Sequence, residues 1–512
     1  MLRSIFTVGA WTMASRVLGF LRDMLIASKL GAGPMADAFF VALKLPNLFR
    51  RLFGEGAFNA AFVPAFAQAL TQRGHAAAQM LAERMAMLLS LWLTLLTVLG
   101  MVFMPWLMQV LAPGFSNDPA KFQLAVELTR ITFPYLLLIC LTALVSGVLN
   151  GLGKFAAAAA APIFFNLLSM IALFALAPFV ATPAHALAWG VTLSGIVQLG
   201  FVSWACARAG MALNLFHAPK LPPDVRMVLR RMGPGLIGAG VTQLNLAIDV
   251  IIASFLPAGA VSYLYYADRV AQLPLGVIGA AVATALLPLL ARQIHAGQPL
   301  QAHRSINRAI EISLILAVPA AVALAVLALP ILEALFQRGA FGAEEARLTS
   351  RALVAYSVGL PAFVLVKVFV PGFFARGDTA TPVKVGICCV VLNLGLNLAL
   401  MGPLLHVGVA LSTSLAAWAN ALTLAFLLAR RGQLVPDRRL RRAAPRLLGA
   451  AIAMGAALMA LAWLLGPGPG LRGVVLLGLV CALGALVYFG AAQLSGGLDL
   501  RDLRRMLRRR RS

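Results

Sequence analysis

The chain reads as long apolar blocks, interrupted where proline, glycine and charge cluster. Cutting at those interruptions predicts fourteen spans: 4–30, 35–66, 80–111, 122–150, 155–179, 184–209, 227–256, 262–292, 305–334, 345–375, 381–402, 406–430, 444–465 and 471–494. A membrane-crossing helix takes about 20 largely apolar residues, and its short loops a handful more. Spans of that size fill the 512 residues and leave no stretch for a soluble domain. The expected architecture is an all-α polytopic membrane protein whose even number of crossings places both termini on one side.

Composition agrees with this pattern. Apolar residues make up 61% of the chain and charged residues 12%, where a soluble protein has about 25% charged. The net charge of +25, from 42 Lys and Arg against 17 Asp and Glu, would suit a nucleic-acid binder, but topology accounts for it. The connections on one side of the bundle, with the tail, carry 28 of the cations, and those on the other side carry six: Lys29, Lys121, Arg338, Arg347, Arg351 and Arg472. Cytoplasmic loops hold the Lys and Arg excess, so both termini are expected in the cytoplasm. The basic tail "RDLRRMLRRRRS" is an orientation signal on anionic lipid, or alternatively a protein-docking motif. The first apolar run lacks an A-x-A-like cleavage site and is expected to be retained as a span.

Features recur across the long connection "RAGMALNLFHAPKLPPDVRMVLRR". His185 and His406 each open a span, 221 residues apart, while Phe133-Pro134 and Leu360-Pro361 lie 227 apart, as do Asn166 and Asn393. This offset predicts two six-helix lobes, 1–210 and 227–431, joined by 211–226. Helices 13 and 14 follow in 432–495, then a tail over 496–512. Repeats of this kind are a usual transporter plan, with the substrate path at the repeat interface.

Eight cations remain within or at the edges of spans: Arg16, Arg22, Lys44, Arg50, Arg51, Arg130, Arg269 and Lys367. A charge at mid-bilayer costs roughly 2.5 to 3.5 kcal/mol even on the lenient insertion scale, so such residues face a bundle interior or a wet cavity. Arg16 and Asp23 share a helix face about 10.5 Å apart, beyond easy pairing. Arg130, one turn after Glu127, is expected to be a structural ion pair. Lys44 and Arg51 fit either a structural or a functional role, while Arg16, Arg22, Arg50 and Arg269 are the functional candidates. Guanidinium forks match phosphate oxygens, so their surplus points to an anionic, phosphate-bearing cargo.

Prolines in "ITFPYLLL", "LLPLL" and "FVPGFFARGDTATP" are candidate hinges, or simple kinks, at positions where neighbours satisfy the freed backbone. All six histidines lie in or beside loops, and the five cysteines read as small core residues without metal-binding spacing. No Walker A motif speaks for an ATP motor, and no array of paired carboxylates in a loop speaks for an enzyme.

The stretch "SRVLGFLRDMLIASKLGAGPMADAFFVALKLPNLFRRLFGEGAFNAAFVPAFAQ" closely resembles the N-terminal signature of the MviN/MurJ family of lipid II flippases. The likeness continues through "LAPGF", "ITFPYLLL", "YYADRVAQLP", "YSVGLPAFVLVKVFVPGFFARGDTATPVK" and "GPLLHVGVALSTSLAAWANA". The resemblance implies two lobes in a V around a central cationic cavity, with two C-terminal helices bordering a lipid groove. It implies a bacterial inner-membrane protein that flips lipid II by alternating access for cell-wall synthesis, without covalent chemistry, beside membrane lipids and the wall-building and division machinery. Carried over, the cavity arginines are Arg16, Arg22, Arg50 and Arg269, and the gate or ion-pair residues are Asp23, Asp37, Arg51, Glu55 and Asp268. Relatives carry Glu four residues after the Asp of "YYADR", where this chain has Gln272. Some relatives hold sodium between the seventh and eleventh helices, which would make Asp249, Asn393 and Asn397 candidate ligands. The coupling expected is therefore an ion, sodium or proton, or the membrane potential alone.

Overall fold

The computed structural model describes residues 2–51, 58–214 and 223–498. Seventeen α-helices and two short 3-10 turns fill these segments, with no strand among the described residues. In chain order the helices are α1 Leu2–Leu30, α2 Pro34–Phe49, α3 Phe58–Arg73, α4 His75–Val102, α5 Met104–Leu111, α6 Pro119–Thr132, α7 Tyr135–Gly151, α8 Phe155–Ala175 and α9 Pro183–Arg208. They continue with α10 Pro223–Ser254, α11 Ala260–His295, α12 Pro299–Val326, α13 Ala328–Phe336, α14 Ala343–Phe374, α15 Ala380–Arg430, α16 Arg438–Leu465 and α17 Leu471–Leu494.

Among the described residues nine helical stretches are long and apolar enough to cross a membrane, which makes this a multi-pass membrane protein. The stretch α1, which carries Arg16, Arg22 and Asp23, is not among those nine. As one helix α15 would run 51 residues, about 77 Å at 1.5 Å per residue, far beyond a hydrocarbon core of about 30 Å. Leu405, at φ 51° and ψ −132°, breaks it into two helical segments, near where the sequence pattern divides 381–402 from 406–430.

The chain forms two compact units, 1–262 and 263–512. In the first, α1 packs on α8, α8 on α9, α7 on α9, and α2 on α6. Helix α10, which the repeat assigns to the second lobe, packs here on α3 and on the 3-10 turn Pro113–Asn117 of this unit. Gly114 of that turn sits so close to α10 that a Cβ would lie 2.2 Å from the Ser254 carbonyl oxygen, and its N–H donates to Ser254 Oγ at 3.1 Å. In the second unit α14 packs on α15 and α12, α12 on α16, and α16 on α17. Glycines set the last two contacts. A Cβ on Gly484 would lie 2.3 Å from Leu458 Cδ2, and one on Gly455 2.9 Å from Val322 Cγ1. Close backbone approach of this kind is how apolar helices associate in lipid.

Prolines interrupt these helices, and three of the carbonyls they free are bonded by side chains from neighbouring helices. A proline four residues on has no N–H to offer, so the carbonyl must find another donor. Thr132 Oγ1 donates to Ala42 O at 3.2 Å, serving the gap left by Pro46. Arg130 Nε donates to Met101 O at 3.0 Å, serving Pro105. Tyr488 Oη donates to Ile315 O at 2.9 Å, serving Pro319, and so ties α17 to α12. The Arg130 bond corrects the expected pairing with Glu127, whose carboxylate accepts from Gln123 and lies 3.5 Å from His185 Nε2.

The cysteines also depart from expectation. Cys140 and Cys206 are buried, but Cys388 and Cys481 are exposed. A membrane helix is apolar on every side, so an apolar run does not separate its lipid face from its packed face.

Candidate functional site

Two buried aspartates of the first unit, Asp23 and Asp37, lie on α1 and α2. Arg22 is 6% exposed and Asp23 2%. Successive residues on a helix do not face each other, yet the long guanidinium turns back so that Nε and Nη2 both reach Asp23 Oδ1, at 3.1 and 2.7 Å. Its Nη1 donates to Asn166 Oδ1 on α8 at 3.2 Å, and the guanidinium lies 5.0 Å from the Phe165 ring. Asn166 Nδ2 in turn donates to Ser15 O at 2.9 Å, which ties α8 back to α1. A buried charge needs this degree of pairing and hydrogen bonding to be tolerated.

Arg16, on the same helix, is exposed and forms no hydrogen bond or ion pair with a described residue. The two arginines therefore divide: Arg22 is internal and matched, and Arg16 is open to an outside anion.

Asp37 is fully buried and accepts four hydrogen bonds. Lys121 Nζ and Gly259 N each reach Oδ2 at 2.7 Å. Ser262 N and Oγ reach Oδ1 at 2.9 and 2.6 Å. Gly259 immediately precedes α11 and Ser262 lies in its first turn, whose orphan N–H groups need acceptors, so Asp37 caps that helix from a distance in sequence. Lys121 is held in turn over the Phe115 ring, 4.0 Å from its centroid.

The other candidates are simpler. Arg50 is half-buried at the end of α2, its Nε 3.3 Å from Asn47 Oδ1. Lys44 is half-buried and Arg51 exposed. Glu55 lies outside the described residues. Asp249 is half-buried on α10.

In the second unit Arg269 Nη2 donates to Tyr265 Oη at 3.1 Å, and the guanidinium lies 4.9 Å from that ring. Gln272 Nε2 donates to Asp268 Oδ2. The residue that departs from the family pattern thus supplies a donor to Asp268, where Glu would set a second carboxylate. Asn393 and Asn397 are both fully buried, one turn apart on α15. Among the described residues no group of three His, Cys, Asp or Glu side chains is placed to hold a metal.

Sequence reasoning missed two buried glutamates. Glu83, 5% exposed on α4, accepts from Gln79 at 3.0 Å and from Asn214 N at 2.9 Å, anchoring the segment that follows α9. Glu311, 4% exposed on α12, accepts from Arg308 and from Arg439 Nε at 3.0 Å, anchoring the segment that follows α15. Asn307 completes that second anchor by donating to Val435 O at 2.9 Å. Positions 83 and 311 are 228 apart, the same offset that relates Asn166 to Asn393 to within one residue. The repeat was the signal that could have found them.

An arginine–aspartate pair and a lysine–aspartate pair buried among long apolar helices, in a chain of two helical units, fit a polytopic membrane protein of the transporter type. A solved inward-facing multidrug resistance MATE family transporter of the MOP superfamily shares this fold, with TM-score 0.70 and 18% identity over 82% of this chain and 94% of that one. The chain belongs to the lipid II flippase MurJ family, whose model matches residues 26–469. A probable lipid II flippase MurJ of Rhizobium tropici is 44% identical over 100% of this chain and 97% of its own length. A solved lipid II flippase MurJ in an inward closed conformation superposes with TM-score 0.80 at 24% identity, over 97% of this chain and 99% of that one.

Proposed function

We propose that this protein carries lipid II, the undecaprenyl-diphosphate-linked peptidoglycan precursor, from the cytoplasmic to the periplasmic leaflet of a bacterial inner membrane. It does so by alternating access, across fourteen spans with both termini in the cytoplasm. The observation that carries the reading is the division of labour on α1. Arg22 is matched inside the unit by Asp23 and Asn166, while Arg16 is exposed and forms no ion pair with a described residue. Family membership supplies the cargo, and an open guanidinium on a membrane helix suits its diphosphate.

Arg50 and Arg269, both half-buried, extend the same anion-binding role. Asp23, Asp37, Arg51, Glu55 and Asp268 serve as gate and ion-pair residues. Translocation breaks no bond, so no catalytic group is required. A membrane potential supplies about 2.3 kcal/mol per charge per 100 mV, enough to bias the cycle. Sodium held by Asp249, Asn393 and Asn397 is the alternative source, and flipping that persists in sodium-free buffer would discard it. Lipid II labelling on the outer face after replacement of Arg16 by Glu tests the reading: the labelled pool should vanish while the protein level stays normal.

A further inference from the structure

Away from the arginines of α1, the first unit has a second basic recess. A cavity of about 460 Å3 opens where the start of α1, the turn between α7 and α8, and the end of α9 meet. Lys154, Phe155, Trp204 and Arg208 line it, with Thr7 at its edge. Both cations are exposed, and neither forms a salt bridge with a described residue. The Arg208 guanidinium lies 5.1 Å from the Trp204 ring, which orients it without neutralising it. Among the described residues that line the cavity there is no carboxylate. Phe155 is eleven residues before Asn166 on α8, roughly 16 Å along the helix, so this recess is distinct from the Arg22 network.

We propose that the recess is a binding site for the headgroup of an anionic glycerophospholipid of the inner leaflet. Its sidedness rests on the orientation given above, in which Lys154 and Arg208 belong to the cytoplasmic side. Three features select this occupant. The charge is complementary to a phosphodiester and is held by two separate cations. Trp204 and Phe155, 56% and 39% exposed, are the amphipathic or apolar rings that settle at the headgroup level. Val197 and Leu193, seven and eleven residues before Trp204 and so on its face of α9, are exposed for acyl chains to lie on. Basic pockets between membrane helices on the cytoplasmic side are where anionic headgroups are recognised. A bound lipid there would fasten the α7–α8 turn to the ends of α1 and α9.

Trp204 is a built-in reporter. The full chain is reconstituted in phosphatidylcholine vesicles containing brominated phosphatidylglycerol, or brominated phosphatidylcholine at the same mole fraction. Subtracting the signal of Trp204→Phe isolates this residue from the other six tryptophans. The site requires Trp204 to be quenched several times more strongly by the phosphatidylglycerol. The variant K154Q/R208Q should lower the apparent affinity about thirtyfold, equivalent to about 1 kcal/mol for each cation. Each single variant should lower it about fivefold. Equal quenching by the two lipids overturns the proposal, as does a preference that survives K154Q/R208Q. Undecaprenyl diphosphate added at the same mole fraction should leave the quenching in place, and its loss would assign the recess to the cargo instead. Inorganic phosphate should also leave it unchanged, and competition by phosphate would overturn the lipid as occupant.

Discussion

Asp37 Oδ1 accepts both the backbone N–H and the hydroxyl of Ser262, 225 residues further along the chain, at 2.9 and 2.6 Å. The carboxylate's other oxygen takes Lys121 Nζ and Gly259 N. One buried acid therefore caps α11 and neutralises a buried lysine. Replacing Asp37 by Asn strands the Lys121 ammonium, and breaking a buried pair from one side costs about 3–5 kcal/mol. In a thermal unfolding series D37N and K121M should each destabilise. The double variant should be less damaged than the sum, because its lysine no longer needs a partner. Strict additivity would remove the ion pair from the account.

Tyr488 is expected to matter because of Pro319. In the wild type the phenol serves the Ile315 carbonyl that the proline leaves without an N–H donor. Tyr488→Phe should cost about 1 kcal/mol, the usual worth of such a bond inside a membrane bundle. In a Pro319→Ala background the helix supplies its own donor, and the same substitution should cost clearly less. A double-mutant cycle with no coupling would show that Tyr488 contributes packing alone.

These proline-freed carbonyls mark where sequence reasoning ran out. The helical, multi-pass character was legible because long apolar runs report it directly. The partner of Arg130 was not, because Met101 O becomes available only through Pro105 and only where α4 meets α6. Asp23 was expected as an ion-pair residue, but which arginine holds it was not legible: successive Cβ positions on a helix face different ways, and only the turned-back guanidinium of Arg22 reaches it. Asp37 was legible as a buried charge, but its partners at 121, 259 and 262 depend on the tertiary fold. Glu83 and Glu311 could have been found, since the offset of the repeat already linked them.

Leu405 carries φ 51° with ψ −132°, a combination that suits glycine and strains a side chain. Leu405→Gly should raise the unfolding temperature, the gain of about 1 kcal/mol in the folded state exceeding the added freedom of the unfolded chain. A lower unfolding temperature would mean that packing of the leucine outweighs its backbone strain.

Acid should loosen the turn between α14 and α15. Asp378 there accepts from the Thr381 hydroxyl and N–H at 2.6 and 2.9 Å and pairs with Arg431 at 2.7 Å. The Thr381 hydroxyl first, then Arg431, hold its carboxyl well below the ordinary carboxylate range. A depressed pKa adds stability that is complete above the unfolded value, about 3.9, and fades as pH falls toward the folded one. Wild type should therefore exceed Asp378→Asn in stability at pH 7 and at pH 5, with the gap closing below about pH 4. Hydrogen exchange across 376–382 reads this, and a gap that closes between pH 5 and 7 would contradict it.

Gln272 offers a reversal in the second unit. Its amide now donates to Asp268, and Gln272→Glu would set two carboxylates one helical turn apart, where like charges repel. Stability at neutral pH should fall by a few tenths of a kcal/mol in thermal unfolding. An unchanged unfolding temperature would show that another cation already balances the site.

In the proposed cycle Arg16 meets the cargo while Arg22 holds the helix that carries it. The most direct measurement compares binding of lipid II by purified Arg16→Gln and Arg22→Gln with the thermal stability of each. Arg16→Gln should lose at least tenfold in affinity, as expected for a charged hydrogen bond to phosphate, and unfold like the wild type. Arg22→Gln should lower the unfolding temperature, since Asp23 is left buried without its guanidinium. Wild-type affinity in Arg16→Gln would contradict the account.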